Sequence, residues 1–155
     1  MIIRKADIYD IPALREMYRE LEEDAVSYQP EHFVLGYRDD KFFRDIFESE
    51  TQDILVAETE GGVVGFSHVM ILRQKDVPCL KPQSLMYIQD LDVRSKMRGQ
   101  GIGTKLMDAS KEYGAANGAD FIRTQVFPQN TDGLRFYERC GFREMMKTIE
   151  CELHL

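Results

Sequence analysis

No apolar run in this chain approaches the ~20 residues that a helix needs to cross a bilayer. The N-terminus, from Met1 to Asp7, lacks the apolar stretch of a secretion signal. Together these absences predict a cytoplasmic protein with no membrane partner. Cysteine is sparse. Cys79, Cys140 and Cys151 are odd in number, far apart, and form no C-x-x-C pair, which argues against a disulfide framework or a thiolate zinc site. His32, His68 and His154 are equally scattered, with no H-E-x-x-H or other metal-ligand spacing, so no metal is expected. Positive charge is also short. The 20 Lys and Arg stand against 27 Asp and Glu, a net charge of −7, whereas a nucleic-acid binder shows a basic face. No nucleic-acid partner is expected. The acidic balance suits a cationic substrate, or serves only as a solubilising surface.

What is present suits a globular protein. Of 155 residues, 43% are hydrophobic and 30% charged, with no internal repeat, low-complexity tract or linker, so one domain over residues 1–155 is expected. Ile2 to Arg4 reads as a short strand. Asp10 is placed to cap a helix with Pro12 in its first turn, and Ile11, Leu14, Tyr18 and Leu21 fall on one face. Residues 26–37, with Pro30, read as loop or broken helix, and 39–49 as a second short helix. Ile54 to Glu58 and Val63 to Leu72, joined by Glu60-Gly61-Gly62, form a hairpin. Pro78 and Pro82 mark a loop, and Leu85 to Val93 is a strand. A helix over Ile102 to Asn117 stops at Gly118, a strand over Phe121 to Phe127 stops at Pro128, and a helix over 131–140 stops at Gly141. Phe142 to Leu153 reads as a last strand. The order is α/β or α+β with a mixed sheet, and the unit at 85–127 is a crossover between parallel strands.

The most informative stretch is Val93 to Leu106. Three glycines, Gly99, Gly101 and Gly103, open a strongly periodic helix. Without Cβ atoms the backbone there can approach an anion closely, and the helix directs free N–H groups and its positive dipole end at the same place. Arg94, Lys96, Arg98 and Lys105 lie in the stretch, with no acidic residue between them. A P-loop needs G-x-x-x-x-G-K-S/T, which no register supplies. The dinucleotide pattern G-x-G-x-x-G needs glycine where Thr104 stands, and it favours the first strand–helix unit of a fold. The pattern that fits is R-x-x-G-x-G at Arg98, Gly101 and Gly103.

That segment resembles the pyrophosphate-binding motif of the GCN5-related N-acetyltransferases. Tyr87 to Val93 before the loop, and Asn130 followed by Phe136-Tyr137 and Gly141-Phe142 after it, resemble further signatures of that family. The resemblance is specific over 85–142 and covers the whole chain in element order. It implies a mixed, mostly antiparallel sheet of six to seven strands with about four helices. It also implies a splayed parallel strand pair that binds acetyl-CoA. The cofactor would be held by Leu91, Asp92, Val93, Arg98, Gly99, Gln100, Gly101, Ile102, Gly103, Thr104, Asn130 and Tyr137. A backbone N–H near Leu91 would face the thioester oxygen.

Acyl transfer from a thioester to an amine needs a neutral amine and a protonated leaving thiolate. Tyr137 is the candidate general acid, because a phenol at pKa ~10 is close to a thiol at ~8.5. The competing reading is a core aromatic beside Phe136. Some relatives carry glutamate where Gln89 stands, and an amide cannot serve as a base. Asp90 is therefore the candidate base, with Asp92 on the same strand face. Both have bland alternatives: a turn residue for Asp92, a helix partner for Asp90. His68 reads as a core histidine, Glu22, Glu23 and Asp24 as a solvated run near the acceptor site, and Tyr28, Phe33 and Tyr37 as pocket or packing. The 26–37 and 73–84 segments are the expected pocket walls. The expected acceptor is a primary amine on a small molecule, attacking directly in a ternary complex. The alternatives are a protein N-terminus or lysine, or a CoA-binding domain without catalysis. Small members of the family are commonly dimers, and Met145, Met146, Ile149 and Leu153 are candidates for such an interface.

Overall fold

The computed structural model describes residues 1–154 and divides into two compact units, 1–125 and the segment from Val126 onward. The first unit holds a five-stranded sheet in the order β1-β2-β3-β4-β5: β1 (Ile2–Lys5), β2 (Gln52–Thr59), β3 (Gly62–Gln74), β4 (Gln83–Val93) and β5 (Phe121–Arg123). The first four strands run antiparallel, and β4 and β5 are parallel. The helices of this unit are α1 (Ile11–Tyr28), α2 (Asp40–Phe47) and α3 (Ile102–Ala116).

The sheet buries both faces. On one, Ile11, Leu14, Met17 and Tyr18 of α1 and Phe43 and Ile46 of α2 pack on Ile54, Val56 and Phe66. Tyr18 is the pivot, its ring 4.7 Å from that of Phe66 and 5.8 Å from that of Phe43. On the other face, Ile102 and Leu106 of α3 pack on Ala57, Val64 and Val93. Gly65 makes this approach possible. A Cβ there would stand 2.9 Å from Leu106 Cδ1 and 3.1 Å from the Asp92 carbonyl oxygen.

Two local expectations change in this unit. Asp10 occupies the N-cap position of α1 without capping it. Its carboxylate instead accepts two bonds from Arg4, at 2.8 and 2.9 Å, and one from the Asp7 N–H at 2.9 Å. A bidentate, charge-assisted pair outcompetes a single capping bond. Asp7 caps a short 3-10 turn over Ile8–Asp10 just before the helix. The strand expected over 121–127 stops at Arg123, because the parallel register ends at Tyr87↔Arg123. One residue on, the Thr124 hydroxyl donates to the Ile88 carbonyl at 2.9 Å in place of a ladder bond.

The second unit contains α4 (Thr131–Arg139). The strand expected over 142–153 is not formed: 142–154 have no regular structure, and Ile149 is 89% exposed and Met146 78%. Alternating apolar residues make a strand only where a neighbouring strand satisfies their N–H and C=O groups. Among the described residues the sheet therefore has five strands, not six to seven. No helix among them is long and apolar enough to cross a membrane.

Candidate functional site

The loop after β4 is fixed at its start by Arg94. Its N–H donates to the Val64 carbonyl at 2.9 Å and its Nε to the Val63 carbonyl at 3.0 Å, tying the turn to β3. Arg94 also pairs with Glu16 of α1 at 3.2 Å. A single 3-10 turn, Ser95–Met97, follows. Arg98 then folds back, donating from Nε to the Val93 carbonyl at 2.9 Å and from Nη2 to Asp92 Oδ1 at 3.1 Å. Its side chain stays 50% exposed, so the guanidinium is both fixed and accessible.

Beyond Arg98 the backbone turns through Gly99 at φ 77° and Gly101 at φ 81°. Both angles are left-handed and costly for any residue with a Cβ. The space in front is open, since a Cβ at either position would meet nothing within 4 Å. Gly101 is the N-cap of α3, and no side chain caps that helix end. The first N–H groups of α3, from Ile102 to Thr104, have no partner within the helix. Free N–H groups, a helix dipole and glycines without side chains make a receptor for an anionic group.

Upstream, β4 carries a bulge. His68 pairs with Asp90 and Val69 with Ile88, so Gln89 has no cross-strand partner. Asp90 and Asp92 fall on the α1 side of the sheet, as alternation requires. Burial pushes the Asp90 carboxyl up to about 6, while the Arg38 guanidinium and the Tyr18 hydroxyl pull it back and Asp92 adds to the rise. Asp92 is likewise pushed up to about 6 by burial, with Arg98 opposing and Glu20 reinforcing the shift. Asp92 is the more deeply buried, its side chain 6% exposed against 32% for Asp90. Its Oδ2 is buried without a hydrogen-bond partner. The two acids thus have different surroundings. Asp92 anchors Arg98 beneath the loop, and Asp90 stands at the edge of the helical layer with part of its surface in water.

Around Asp90 lies a polar cluster. The Tyr18 hydroxyl reaches both the Asp90 carboxylate and His68 Nδ1, the latter at 3.3 Å. His68 Nε2 meets Gln52 Oε1 at 2.8 Å. Burial, with Arg38 adding to it, lowers His68 to about 4, so the imidazole is neutral at pH 7. Two clefts open beside the cluster. One, about 320 Å³, is lined by Phe42, Ile46, Gln52, His68, Met70 and Gln89, with Asp45 also in its wall. The other, about 450 Å³, lies between α1 and residues 36–38, with Tyr18 in its wall. Gly36 and Tyr37 of the 26–37 segment line this second cleft, no residue of 73–84 lines either one, and α1 runs on to Tyr28. Glu22 is not free to greet a cation, because Arg38 and the Gly36 N–H occupy its carboxylate.

Asn130 and Tyr137 belong to the second unit. Asn130 Oδ1 caps α4, accepting from the Gly133 N–H at 2.9 Å. A Cβ at Gly133 would fall 2.5 Å from Asn130 Nδ2, so a larger residue there would push the capping side chain aside. Tyr137 is half-buried between Phe136 and Phe142, each ring 5.3 Å away at 67°. The first unit brings together Asp90, Leu91, Asp92, Val93 and the turn from Arg98 to Thr104. Asn130 and Tyr137 are organised separately on α4.

Sequence reasoning passed over Tyr18 and Arg38 as members of this site. Tyr18 reads as one more apolar position on α1, and its hydroxyl has no signature in a periodic pattern. Arg38 sits in an irregular segment, where nothing in the sequence signals which element it meets.

The sequence pattern of the acetyltransferase (GNAT) family matches residues 11–142. A curated relative, the uncharacterized N-acetyltransferase MJ1530 of Methanocaldococcus jannaschii, is 31% identical over 146 residues, covering 93% of this chain and 79% of its own. The crystal structure of a mutant of the BH1408 protein from Bacillus halodurans matches with a TM-score of 0.95 at 26% identity, over 99% of this chain and 100% of that one. An aminoglycoside N-acetyltransferase solved in complex with CoA shares the fold, with a TM-score of 0.74 at 16% identity over 99% of this chain and 100% of that one. A strand, an arginine-braced glycine turn and an uncapped helix end thus occur in a chain whose pattern and relatives agree: the protein belongs to the acetyltransferase (GNAT) family.

Proposed function

We propose that this protein is an N-acetyltransferase that moves an acetyl group from acetyl-CoA to a primary amine of a small molecule by direct attack in a ternary complex. The reading rests above all on the uncapped N-terminus of α3 behind the left-handed Gly99 and Gly101. That arrangement suits the CoA pyrophosphate: N–H groups of Gly99 to Thr104 donate, Arg98 supplies fixed positive charge, and no Cβ obstructs the approach. Leu91, Asp92 and Val93 lead from the bulge into this turn, and their strand edge beyond Tyr87 is outside the β5 register. Free backbone groups on that edge would pair with the pantetheine arm, and an N–H near Leu91 would face the thioester oxygen.

Asp90 is the proposed base. At pH 7 a carboxyl with a midpoint near 6 is mostly ionised. It is also a far better match to an ammonium proton than an ordinary aspartate. Tyr137 is the proposed acid, handing its phenolic proton to the departing thiolate. Asn130 contributes by capping α4 and so holding the helix that carries Tyr137. The 320 Å³ cleft, with its apolar Phe42, Ile46 and Met70 and its polar Gln52, His68 and Gln89, is the proposed acceptor pocket. Its size admits a small amine.

The test is calorimetric titration of the whole protein with acetyl-CoA, repeated on Gly101→Asp, followed by thiol release across a panel of amines and peptides. Binding in the wild type that vanishes in the variant supports the loop. No wild-type binding overturns the enzyme reading, and thiol release with peptides alone overturns the small-amine reading.

A further inference from the structure

Asp90 is surrounded by groups that the family's pyrophosphate turn does not include. We propose that Tyr18 and Arg38 are positioning residues for the Asp90 carboxylate, in a cluster that Arg38 joins from a strap over residues 29–39. The inference rests on the reading of Asp90 as the base.

The strap has no helix or strand of its own, yet α1 fastens it at several points. Glu22 accepts from the Gly36 N–H at 3.0 Å and pairs with the Arg38 guanidinium. Arg15 donates to the Arg38 carbonyl at 2.8 Å and pairs with Asp40 just beyond. These bonds place the guanidinium carbon 4.3 Å from the Tyr18 ring centroid and 5.3 Å from that of Phe42. Arg38 is thus a cation stacked on the edge of the aromatic layer, and its charge favours the Asp90 carboxylate and disfavours a charged His68.

The groups facing Asp90 from each element divide by sign. Arg38 from the strap and the Tyr18 hydroxyl from α1 favour the carboxylate, and Asp92 on β4 opposes it. Glu22 of α1 acts through Arg38. His68 on β3, 4.0 Å from Asp90 Oδ2, is neutral at pH 7 and adds no charge. Tyr87 on β4 is pushed upward by burial and by Asp90, and stays a neutral phenol. Without Arg38 and Tyr18, only burial and Asp92 would act on Asp90, and both favour the protonated acid.

Tyr18 has a second use. Gln52 Oε1 accepts from His68 Nε2, so Nδ1 carries no hydrogen and is an acceptor. The phenol has one hydrogen and two acceptors, Nδ1 and Asp90. While Asp90 is ionised the charged oxygen is the stronger partner. When Asp90 takes a proton from an ammonium, an N–H bond breaks and an O–H bond forms. The new O–H donates to the Tyr18 oxygen, and the phenol hydrogen turns to Nδ1. Asp90 keeps a hydrogen bond in both states, and tyrosine and histidine exchange no proton.

The experiment is a carboxyl-carbon NMR titration of the full chain, with Asp90 assigned through Asp90→Asn. The wild type is compared with Tyr18→Phe, Arg38→Met and Arg38→Lys. Methionine keeps an apolar stem over Tyr18 and Phe42 while removing the charge. The Asp90 midpoint is expected to rise by roughly one unit in Tyr18→Phe and in Arg38→Met, and to return most of the way in Arg38→Lys. A midpoint that stays put in Arg38→Met overturns the proposal, and so does a rise that lysine does not reverse. If Tyr18→Phe fails to fold, the Arg38 pair decides alone. The base reading is judged separately, by thiol release from acetyl-CoA in Asp90→Asn across the amine panel. Retained release there removes Asp90 from catalysis without touching the titration result.

Discussion

Asp90→Asn should stabilise this protein at neutral pH while removing its proposed base. The magnitude follows from the carboxyl's surroundings. Burial lifts Asp90 from the ordinary 3.8 to about 6. A shift of about 2 units at ~1.4 kcal/mol each corresponds to about 3 kcal/mol. The side chain keeps 32% of its surface in water, so screening reduces the effect to about 1–2 kcal/mol. The folded midpoint lies above the unfolded one, so the native state retains a proton that the unfolded chain releases. Stability from this group is complete below about pH 4, declines as pH rises to 6, and stays low above. Asparagine does not titrate, and its carbonyl still accepts from Tyr18. Asp92 titrates in the same window but is present in both proteins, so it largely cancels from the comparison. Urea denaturation at pH 4, 5, 6, 7 and 8 is the assay. The two proteins should match at pH 4, and the variant should gain about 1–2 kcal/mol by pH 7 with no change in slope against urea. Equal stability at pH 8, or a gap unchanged across the series, would refute the burial argument.

Other perturbations probe the rest of the site. Tyr137→Phe should lower turnover by about 10²-fold or more, as expected for loss of a general acid, with acetyl-CoA affinity in calorimetry nearly intact; unchanged turnover removes Tyr137 from the mechanism. Gly133→Ala places a Cβ against the Asn130 side chain, which then cannot cap α4. Losing the cap costs about 1 kcal/mol and alanine gains up to about 1 kcal/mol over glycine inside a helix, so the thermal melt should stay near wild type, and a variant melting well above it would show that the cap contributes nothing. Gly65→Ala crowds Leu106 and the Asp92 carbonyl between β3 and α3. A loss of about 1–3 kcal/mol is expected, measurable by urea denaturation and refuted by wild-type stability.

Much of the fold was legible because its signals are local. The 3.6-residue period of α1 and the continuous apolar runs of the 52–74 hairpin, as expected of strands buried on both faces, appear in the chain before any contact is made. The glycine turn was readable for the same reason, since its conformational demand is met by Gly99 and Gly101 themselves. Where a local signal competed with a distant partner, the reading failed. Asp10 has the right type and place for a cap, but Arg4 claims its carboxylate. Residues 142–153 have the pattern of a strand but carry no regular structure, since a strand needs a paired neighbour as well as a pattern. Arg98 is conspicuous in the sequence, whereas its fastening to Asp92 and to the Val93 carbonyl is not.

The amino-acid sequence by itself determined the element order as far as α4, the turn that suits a pyrophosphate and the family, because backbone preference and hydrophobic period act over a few residues. Tertiary structure decided the electrostatics. It placed Arg38 and Tyr18, 52 and 72 residues before Asp90 in the chain, around one carboxyl. It also buried Asp92 beneath Arg98 and set the titration of both acids. Charge and desolvation depend on distance in space, and chain position carries no record of it until the sheet and its two helical layers have closed.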